Sequence, residues 1–476
     1  MPESELSVVI DSRLQNPPPP VSSISQPAEV SGNRLRWESS IWGSHPNWVV
    51  EPSMARIEEA IAPHLQQLQT SSRSLAPAHD IDIEFLAEGA FNKTYTATLA
   101  TRSHCQSYIV RVSLPVDAYY KMASEVATIK YLRTQTSIPI PEVFAWDAGY
   151  ENPIGYEWML MERVAGLPLR EVWYPENKTG SVDWDIKQRT VEAIAESVAQ
   201  MWRLKFPVGG SLYLADGIGV PGTVYNDLTR SEPIFVTVGR VVALEFFWEN
   251  HLQLTGIERG PFRSSGPWLE SRLRFVIADA ERLMNQAQIG KSELEQAVFM
   301  KMAADRLLRQ LPDFFPLPQA QGNTPHESFA LSHPDLTGHN ILVDPSGALV
   351  SIIDWECTNA LPTWAACQIP YLLDSLPPRT EKPREEDYSD SLYLEHLEEY
   401  EQTILRQLFL ARMSEIEPSW VEEFESQEGN RRRDFETAVS WAGGVSGFHN
   451  RALQKWLDML EGQGGSGARD YHSLRD

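Results

Sequence analysis

The run Leu331-Ser332-His333-Pro334-Asp335-Leu336-Thr337-Gly338-His339-Asn340, followed by Ile341-Leu342-Val343-Asp344 and then Ile352-Ile353-Asp354-Trp355, sets two carboxylates and an amide at a spacing that suits phosphoryl transfer. Moving a phosphoryl group from a nucleotide to a hydroxyl takes one carboxylate to orient the attacking oxygen and accept its proton. It also takes Mg²⁺ to neutralise phosphate charge. Asp335 suits the first role, and Asn340 and Asp354 offer hard oxygen ligands for the metal.

These side chains lie apart in sequence, so an element has to bring them together. Asn340–Asp344 and Ala348–Ile353 are strand-like runs on either side of Pro345-Ser346-Gly347. The segment therefore predicts a β-hairpin whose two ends, carrying Asn340 and Asp354, meet.

The nucleotide side is expected upstream. Ile81–Leu86, Thr94–Leu99 and Ser107–Val112 predict three short strands, a helix starts near Asp117, and Val143–Trp146 and Glu157–Met161 predict two more strands. Between the first two strands, Glu88-Gly89-Ala90-Phe91-Asn92-Lys93 is a turn in which a glycine would let backbone N–H groups face phosphate. An ordinary hairpin turn is the plainer reading of that stretch taken alone. On the helix, Glu125 lies within about 60° of Met122 and Ile129 at 100° per residue, and so leans toward the buried face. A carboxylate there needs a cation. Arg111 on the third strand is the partner favoured here, with a surface pair to Lys121 as the alternative. Met159–Gly166 runs from a strand into a turn at which backbone groups of Glu162 and Val164 could read a nucleobase edge. Gly217-Ile218-Gly219-Val220-Pro221-Gly222 matches a dinucleotide fingerprint but does not open a helix, so it is read as a loop.

Bulk properties narrow the partners. A net charge of −24 over 476 residues argues against nucleic acid or an anionic membrane. Nucleotide phosphates must then be met by Mg²⁺ and a few placed cations. Cys105, Cys357 and Cys367 form no metal-type pair, an odd thiol count argues against a secreted disulfide framework, and no apolar run reaches spanning length. The acidic start, Met1-Pro2-Glu3-Ser4-Glu5, lacks the basic character of a leader, so the expected location is the cytoplasm. Five regions are expected. Residues 1–35 form a proline-rich disordered arm, 36–80 a helical extension, 81–164 a small sheet lobe, 165–460 a larger helical lobe, and 461–476 a flexible tail.

Ala90-Phe91-Asn92-Lys93-Thr94-Tyr95, Ser124-Glu125-Val126, Ile138-Pro139-Ile140-Pro141-Glu142-Val143, Met161–Gly166 and His333-Pro334-Asp335 through Asp354-Trp355-Glu356 resemble the aminoglycoside phosphotransferase and choline kinase-like superfamily, most of all its fungal branch. The resemblance runs from about Phe85 to Leu460. It implies an α+β, two-lobed protein-kinase-like fold with ATP or GTP in the cleft and a small hydroxylated molecule as acceptor. Asp335 would be the catalytic base, Asn340 and Asp354 the Mg²⁺ ligands, and Glu125 the partner of the phosphate-binding cation. Arg111 stands where many relatives carry lysine, and Lys93 or Lys121 could share its role. Aromatic residues of the 205–325 insertion, among them Phe246, Phe247, Trp248, Phe262 and Trp268, would shape an acceptor pocket or simply fill a core. Some relatives are linked with mitochondria. Little room follows Asp354 for an activation loop, which disfavours a protein kinase. The reading from a different class is a pseudokinase that binds nucleotide or a partner without catalysis.

Overall fold

The structure is a computed structural model that describes residues 34–40, 43–71, 80–100, 105–174, 183–214, 225–226, 234–316, 327–374, 378–387, 390–444 and 447–462. Most of the proline-rich arm, most of the glycine-rich tail and the Gly217–Gly222 loop lie outside the described residues.

The extension expected to be helical opens instead with a hairpin, β1 (Leu35–Ser40) and β2 (Gly43–Trp48), ahead of helix α1 (Met54–Ser71). No alternation of apolar residues marks these strands, and Pro46 sits within one of them. Tertiary contacts hold them: Trp48 packs edge-on against Tyr156 at 4.9 Å and Trp37 lies 4.9 Å from Trp248. Ile57, Ile61 and Leu65, one stripe of α1, are fully buried in the same core as Val110, Val112 and Trp158.

Strands β3 (Asp80–Glu88), β4 (Asn92–Ala100) and β5 (Cys105–Ser113) form an antiparallel meander. Helix α2 (Tyr120–Gln135) follows, and β6 (Val143–Asp147) and β7 (Glu157–Glu162) complete the sheet, with β7 against β5. The six-stranded order is Tyr225–Asn226, β6, β7, β5, β4, β3. Period-two alternation divides the faces. Val110 and Val112 pack toward α1, while Asn92, Arg111 and Ser113 carry their polar side chains to the opposite face. Helix α2 lies on that face and is buried almost all round, Lys121 and Glu125 included.

The larger lobe is built on α3 (Trp184–Arg203) and the antiparallel pair α4 (Ser265–Met284) and α5 (Lys291–Phe314). Strands β8 (Phe329–Ser332), β9 (Ile341–Val343), β10 (Leu349–Ile352) and β11 (Asn359–Pro362) follow. The chain closes through α6 (Asp390–Ile416), α7 (Gln427–Ala442) and α8 (Gly447–Gly462). One apolar core joins α2 and β7 to α3, Leu331 and Trp355, so the two lobes share packing. Phe246, Phe247, Phe262 and Trp268 are core residues; Trp248 is half-buried. Among the described residues no helix is long and apolar enough to cross a membrane.

The expected hairpin is β9–β10. Asp344 organises its turn: its Oδ1 accepts from Ser346 N–H (2.8 Å) and Ala348 N–H (3.0 Å), and its carbonyl accepts from Gly347 N–H at 2.9 Å. Gly347 has φ +79°, and a Cβ there would lie 2.0 Å from Ile186 Cγ2 on α3. Gly347→Ala therefore places a side chain in the left-handed region and into a neighbour, for a combined cost of about 2–4 kcal/mol. A urea titration read by tryptophan fluorescence checks this, and an unchanged midpoint would refute it.

Candidate active site

Strand β8 delivers His333, whose buried ring has its pKa pushed down to about 4, first by desolvation. The neutral imidazole accepts Asp335 N–H at Nδ1 (3.2 Å) and donates from Nε2 to Ile353 O (3.2 Å), so one tautomer ties the loop before Asp335 to the residue before Asp354. Trp355 backs the ring at 4.8 Å.

Asp335 is exposed. Its Oδ2 accepts from Asn340 Nδ2 at 2.7 Å, and the same nitrogen donates to Asp335 O at 2.9 Å. With the amide nitrogen spent this way, Asn340 Oδ1 is turned away from Asp335 and is free to act as an oxygen ligand. Across the hairpin, Ile353 N–H donates to Asn340 O at 2.9 Å, which brings Asn340 beside Asp354 as the hairpin expectation required. Asp354 has φ 62°, a conformation that non-glycine residues adopt rarely and that gathers at functional sites. Its carboxyl is pushed up to about 7 by burial, then by neighbouring Glu356, with Arg111 acting in the opposite direction.

Arg111 donates from Nη2 to Glu125 Oε2, and its Nη1 lies 3.4 Å from Asp354 Oδ1. The structure thus joins Glu125 to Arg111 and not to Lys121. Among the described residues, Arg111 Nε and Glu125 Oε1 are buried without a hydrogen-bond partner. A guanidinium held beside Asp354 suits phosphate, and the hard oxygens of Asn340 and Asp354 at the meeting ends of the hairpin suit a divalent cation. No group of three or more His, Cys, Asp or Glu side chains among the described residues is arranged to hold a metal. Protein ligation would come from Asn340 and Asp354, leaving room for water and phosphate oxygens as Mg²⁺ prefers.

Several expected nucleotide contacts are placed differently. Gly89 donates its N–H to Asn92 O at 2.9 Å, so this amide is already used, and its backbone lies outside the left-handed region. The Asn92 side chain is held in a network, accepting from Ser113 Oγ (2.6 Å) and Lys121 Nζ (3.3 Å) and donating to Glu356 Oε2 (2.9 Å). Lys93 is on the other face of the sheet, as alternation requires, where it pairs with Glu51 and Glu88 and lies 5.3 Å from the Trp48 ring. Glu162 N–H is taken by Glu142 O at 2.8 Å, and Val164 O accepts from Gly166 N–H at 3.1 Å. Among the described residues Val164 N–H has no protein acceptor.

Sequence reasoning missed the role of Glu356 in this network. Lys121 Nζ lies 2.6 Å from Glu356 Oε2, and both side chains are buried or nearly so. Burial pushes the Glu356 carboxyl up, but Lys121 and Arg111 outweigh it and hold the group below its ordinary value. The only sequence signal was an acid two positions after Asp354. A second missed feature closes the cleft from the larger lobe. Arg240 pairs with buried Asp117 (2.8 Å), and Phe91 in the β3–β4 turn packs edge-on against Phe247 and Trp248 at 5.5 and 6.1 Å. Beside Ser332, Pro334 and Cys357, a cavity of about 620 Å³ opens between this segment, α4 and α7.

A small antiparallel sheet lobe, a mainly helical lobe, and an Asp-Asn loop beside an Asp-bearing hairpin define a two-lobed, kinase-like fold. The chain belongs to the phosphotransferase enzyme family, whose family model matches residues 82–386. It is 30% identical over 325 residues to a subtelomeric hrmA-associated cluster protein of Aspergillus fumigatus, covering 61% of this chain and 60% of that protein. It is 23% identical over 310 residues to Altered inheritance of mitochondria protein 9, mitochondrial, of Clavispora lusitaniae, covering 60% of this chain and 49% of that protein. The match therefore spans less than two thirds of either relative. Among solved structures, choline kinase from Cryptosporidium parvum aligns over 84% of this chain and 90% of that one at 12% identity, with a TM-score of 0.38.

Proposed function

We propose that this protein transfers the γ-phosphoryl group of ATP to a hydroxyl of a small molecule in a Mg²⁺-dependent reaction. The observation that carries the reading is the continuous contact chain Asp335–Asn340–Ile353/Asp354–Arg111–Glu125, which joins a proton acceptor, oxygen ligands and a buried phosphate-facing cation. Asp335, exposed and oriented by Asn340, accepts the acceptor's hydroxyl proton as the oxygen attacks γ-phosphorus. The new P–O bond forms as the bond to the β–γ bridging oxygen breaks, and ADP leaves. Asn340 and Asp354 would hold Mg²⁺, which when bound neutralises charge on the phosphates. Arg111, fixed by Glu125, presents its guanidinium to the phosphates as a planar fork where a lysine would present a point charge. Val164 N–H offers a donor to the base edge, and Glu162 the adjoining backbone. Gly89, Asn92 and Lys93 shape the turn above the phosphates from the outside of this chain of contacts.

The test is ³¹P NMR of Mg·ATP or Mg·GTP with pooled small-molecule extracts. A new phosphoester resonance supports the reading, and bound nucleotide without one favours the pseudokinase. The contact of Arg111 with Asp354 is the observation that keeps that second reading, since it sets a fixed cation against the metal-ligating carboxylate. Mg²⁺-independent nucleotide binding would follow from it. The net charge of −24 argues against nucleic acid or an anionic membrane as the main partner. The proposed compartment is the cytoplasm, with mitochondrial association as the alternative that the name of the Clavispora relative suggests. Fractionation of the full chain decides between them.

A pH dependence follows from Asp354. Metal ligation needs the carboxylate, and its pKa stands at about 7. Mg²⁺-dependent ATP affinity is therefore expected to fall by up to about tenfold per pH unit below neutrality and to level off above it. Calorimetry at several pH values, with Asp354→Asn as the control for titration of ATP itself, reads this. The same slope in the variant would remove Asp354 as its source.

A further inference from the structure

We propose that the acceptor is an uncharged, largely apolar alcohol whose body fills the 620 Å³ cavity beside the catalytic loop. The inference rests on the phosphotransferase reading and adds the chemical class of the molecule phosphorylated. The cavity borders Pro334, the residue before Asp335, and Cys357, three positions after Asp354, so a ligand seated in it lies beside the loop that carries the proposed proton acceptor. Its volume is that of a site for a drug-sized molecule.

The walls supply the chemistry. Trp248, Trp268, Phe275, Val276, Leu361 and Val439 present apolar surface. Most of the charged and amide wall groups are engaged by the protein, Ser332 Oγ and the Gln368 carbonyl oxygen being exceptions among the described residues. Arg272 reaches Glu245 (2.8 Å), Glu436 (2.5 Å) and Ser440 Oγ (2.8 Å). The His251 ring bridges Glu245 O (2.8 Å) and Asp279 (3.5 Å). Asn359 donates to Val242 O (3.0 Å) and Cys357 O (2.7 Å) and accepts from Ser211 Oγ (2.6 Å). A sugar or polyamine with many polar groups would find few free partners here, and each group buried unpaired costs affinity.

Charge sharpens the choice. Two carboxylates, Glu245 and Glu436, face one guanidinium, which disfavours an anionic acceptor. A cationic acceptor would meet Arg272 at Trp268, where the guanidinium already lies 5.3 Å from the ring centroid. What remains is an aromatic or isoprenoid-like body with its hydroxyl at the Asp335 end.

The test uses N-phenyl-1-naphthylamine, a neutral fluorescent probe, with farnesol, 2-naphthaleneethanol, choline and kanamycin as competitors on the full chain. The expected result is bright probe binding displaced by the two apolar alcohols and not by choline or kanamycin. Two variants locate the site. Gly443→Leu directs a side chain at Val276, whose Cγ2 is 3.3 Å from the position of a Cβ. Leu244→Glu puts a charge at the mouth, where Leu244 is 49% exposed and can be replaced without opening the core. Both should weaken probe binding by about tenfold or more, the scale set by losing a well-filled apolar contact, with the thermal shift by ATP retained. Preferential displacement or phosphorylation of choline or kanamycin overturns the class and leaves phosphotransfer standing. Probe binding unaffected by both variants overturns the site. Alcohol binding that depends on Gly443 and Leu244, with no phosphoester formed from Mg·ATP, supports the cavity's chemistry and counts against the phosphotransferase reading instead.

Discussion

Asp335→Asn leaves ATP affinity close to that of the parent and lowers phosphoester formation by about 10²- to 10⁴-fold, the range for removing a positioned general base. The exchange keeps the size of the side chain. The Asp335 side chain is exposed and is held among the described residues by Asn340, so the loop, held behind by His333, stays in place. The proton acceptor is what disappears. Single-turnover assays with ³¹P detection read the chemical step, and calorimetry reads the nucleotide. A variant turning over at the parent rate would exclude Asp335 as the base, and a variant that no longer bound ATP would point to a structural role.

Arg111→Met is expected to destabilise the fold by about 3–5 kcal/mol, because it leaves a carboxylate buried without its cation. Glu125 is 1% exposed, and Arg111 is its only partner in a hydrogen bond or ion pair among the described residues. Burial works against the Arg111 charge, but Glu125 and then Asp354 outweigh it and hold the guanidinium pKa above its ordinary value. The double variant Arg111→Met/Glu125→Leu removes both charges and should recover most of the loss, since an apolar pair of similar volume is often as stable as a buried ion pair. On the proposed reading it should not recover nucleotide binding, because the cation assigned to the phosphates is gone. Urea unfolding of the two variants, compared with ATP-induced thermal shifts, separates these outcomes. If the single variant unfolds at the parent midpoint, the pair contributes little to stability.

The parts read most directly from sequence are those whose signal is local. The β9–β10 hairpin follows from two apolar runs around Pro345-Ser346-Gly347, and once it forms, Asn340 and Asp354 have to be neighbours. The inward lean of Glu125 follows from helical geometry alone, and a buried carboxylate in turn demands Arg111. The parts that were not legible depend on what packs against what. The β1–β2 hairpin has no periodic signature and is held by Trp37 and Trp48 against residues more than a hundred positions away. Lys93 and Asn92 are adjacent in sequence, and only the pairing of β4 with β5, read together with the side occupied by α1, assigns one to the extension and the other to the cleft.

By itself, then, the sequence determined the candidate site's residue types and order, the hairpin that joins them and the small sheet ahead of them, because these rest on short-range spacing and backbone periodicity. Tertiary structure alone decided that Lys121 serves Glu356, that Phe91 is capped by Phe247 and Trp248, and that Arg272 in the cavity wall is paired with Glu245 and Glu436. Each of these joins segments distant in the chain, and a charged or aromatic side chain does not carry in its own sequence neighbourhood the identity of the partner that will desolvate it.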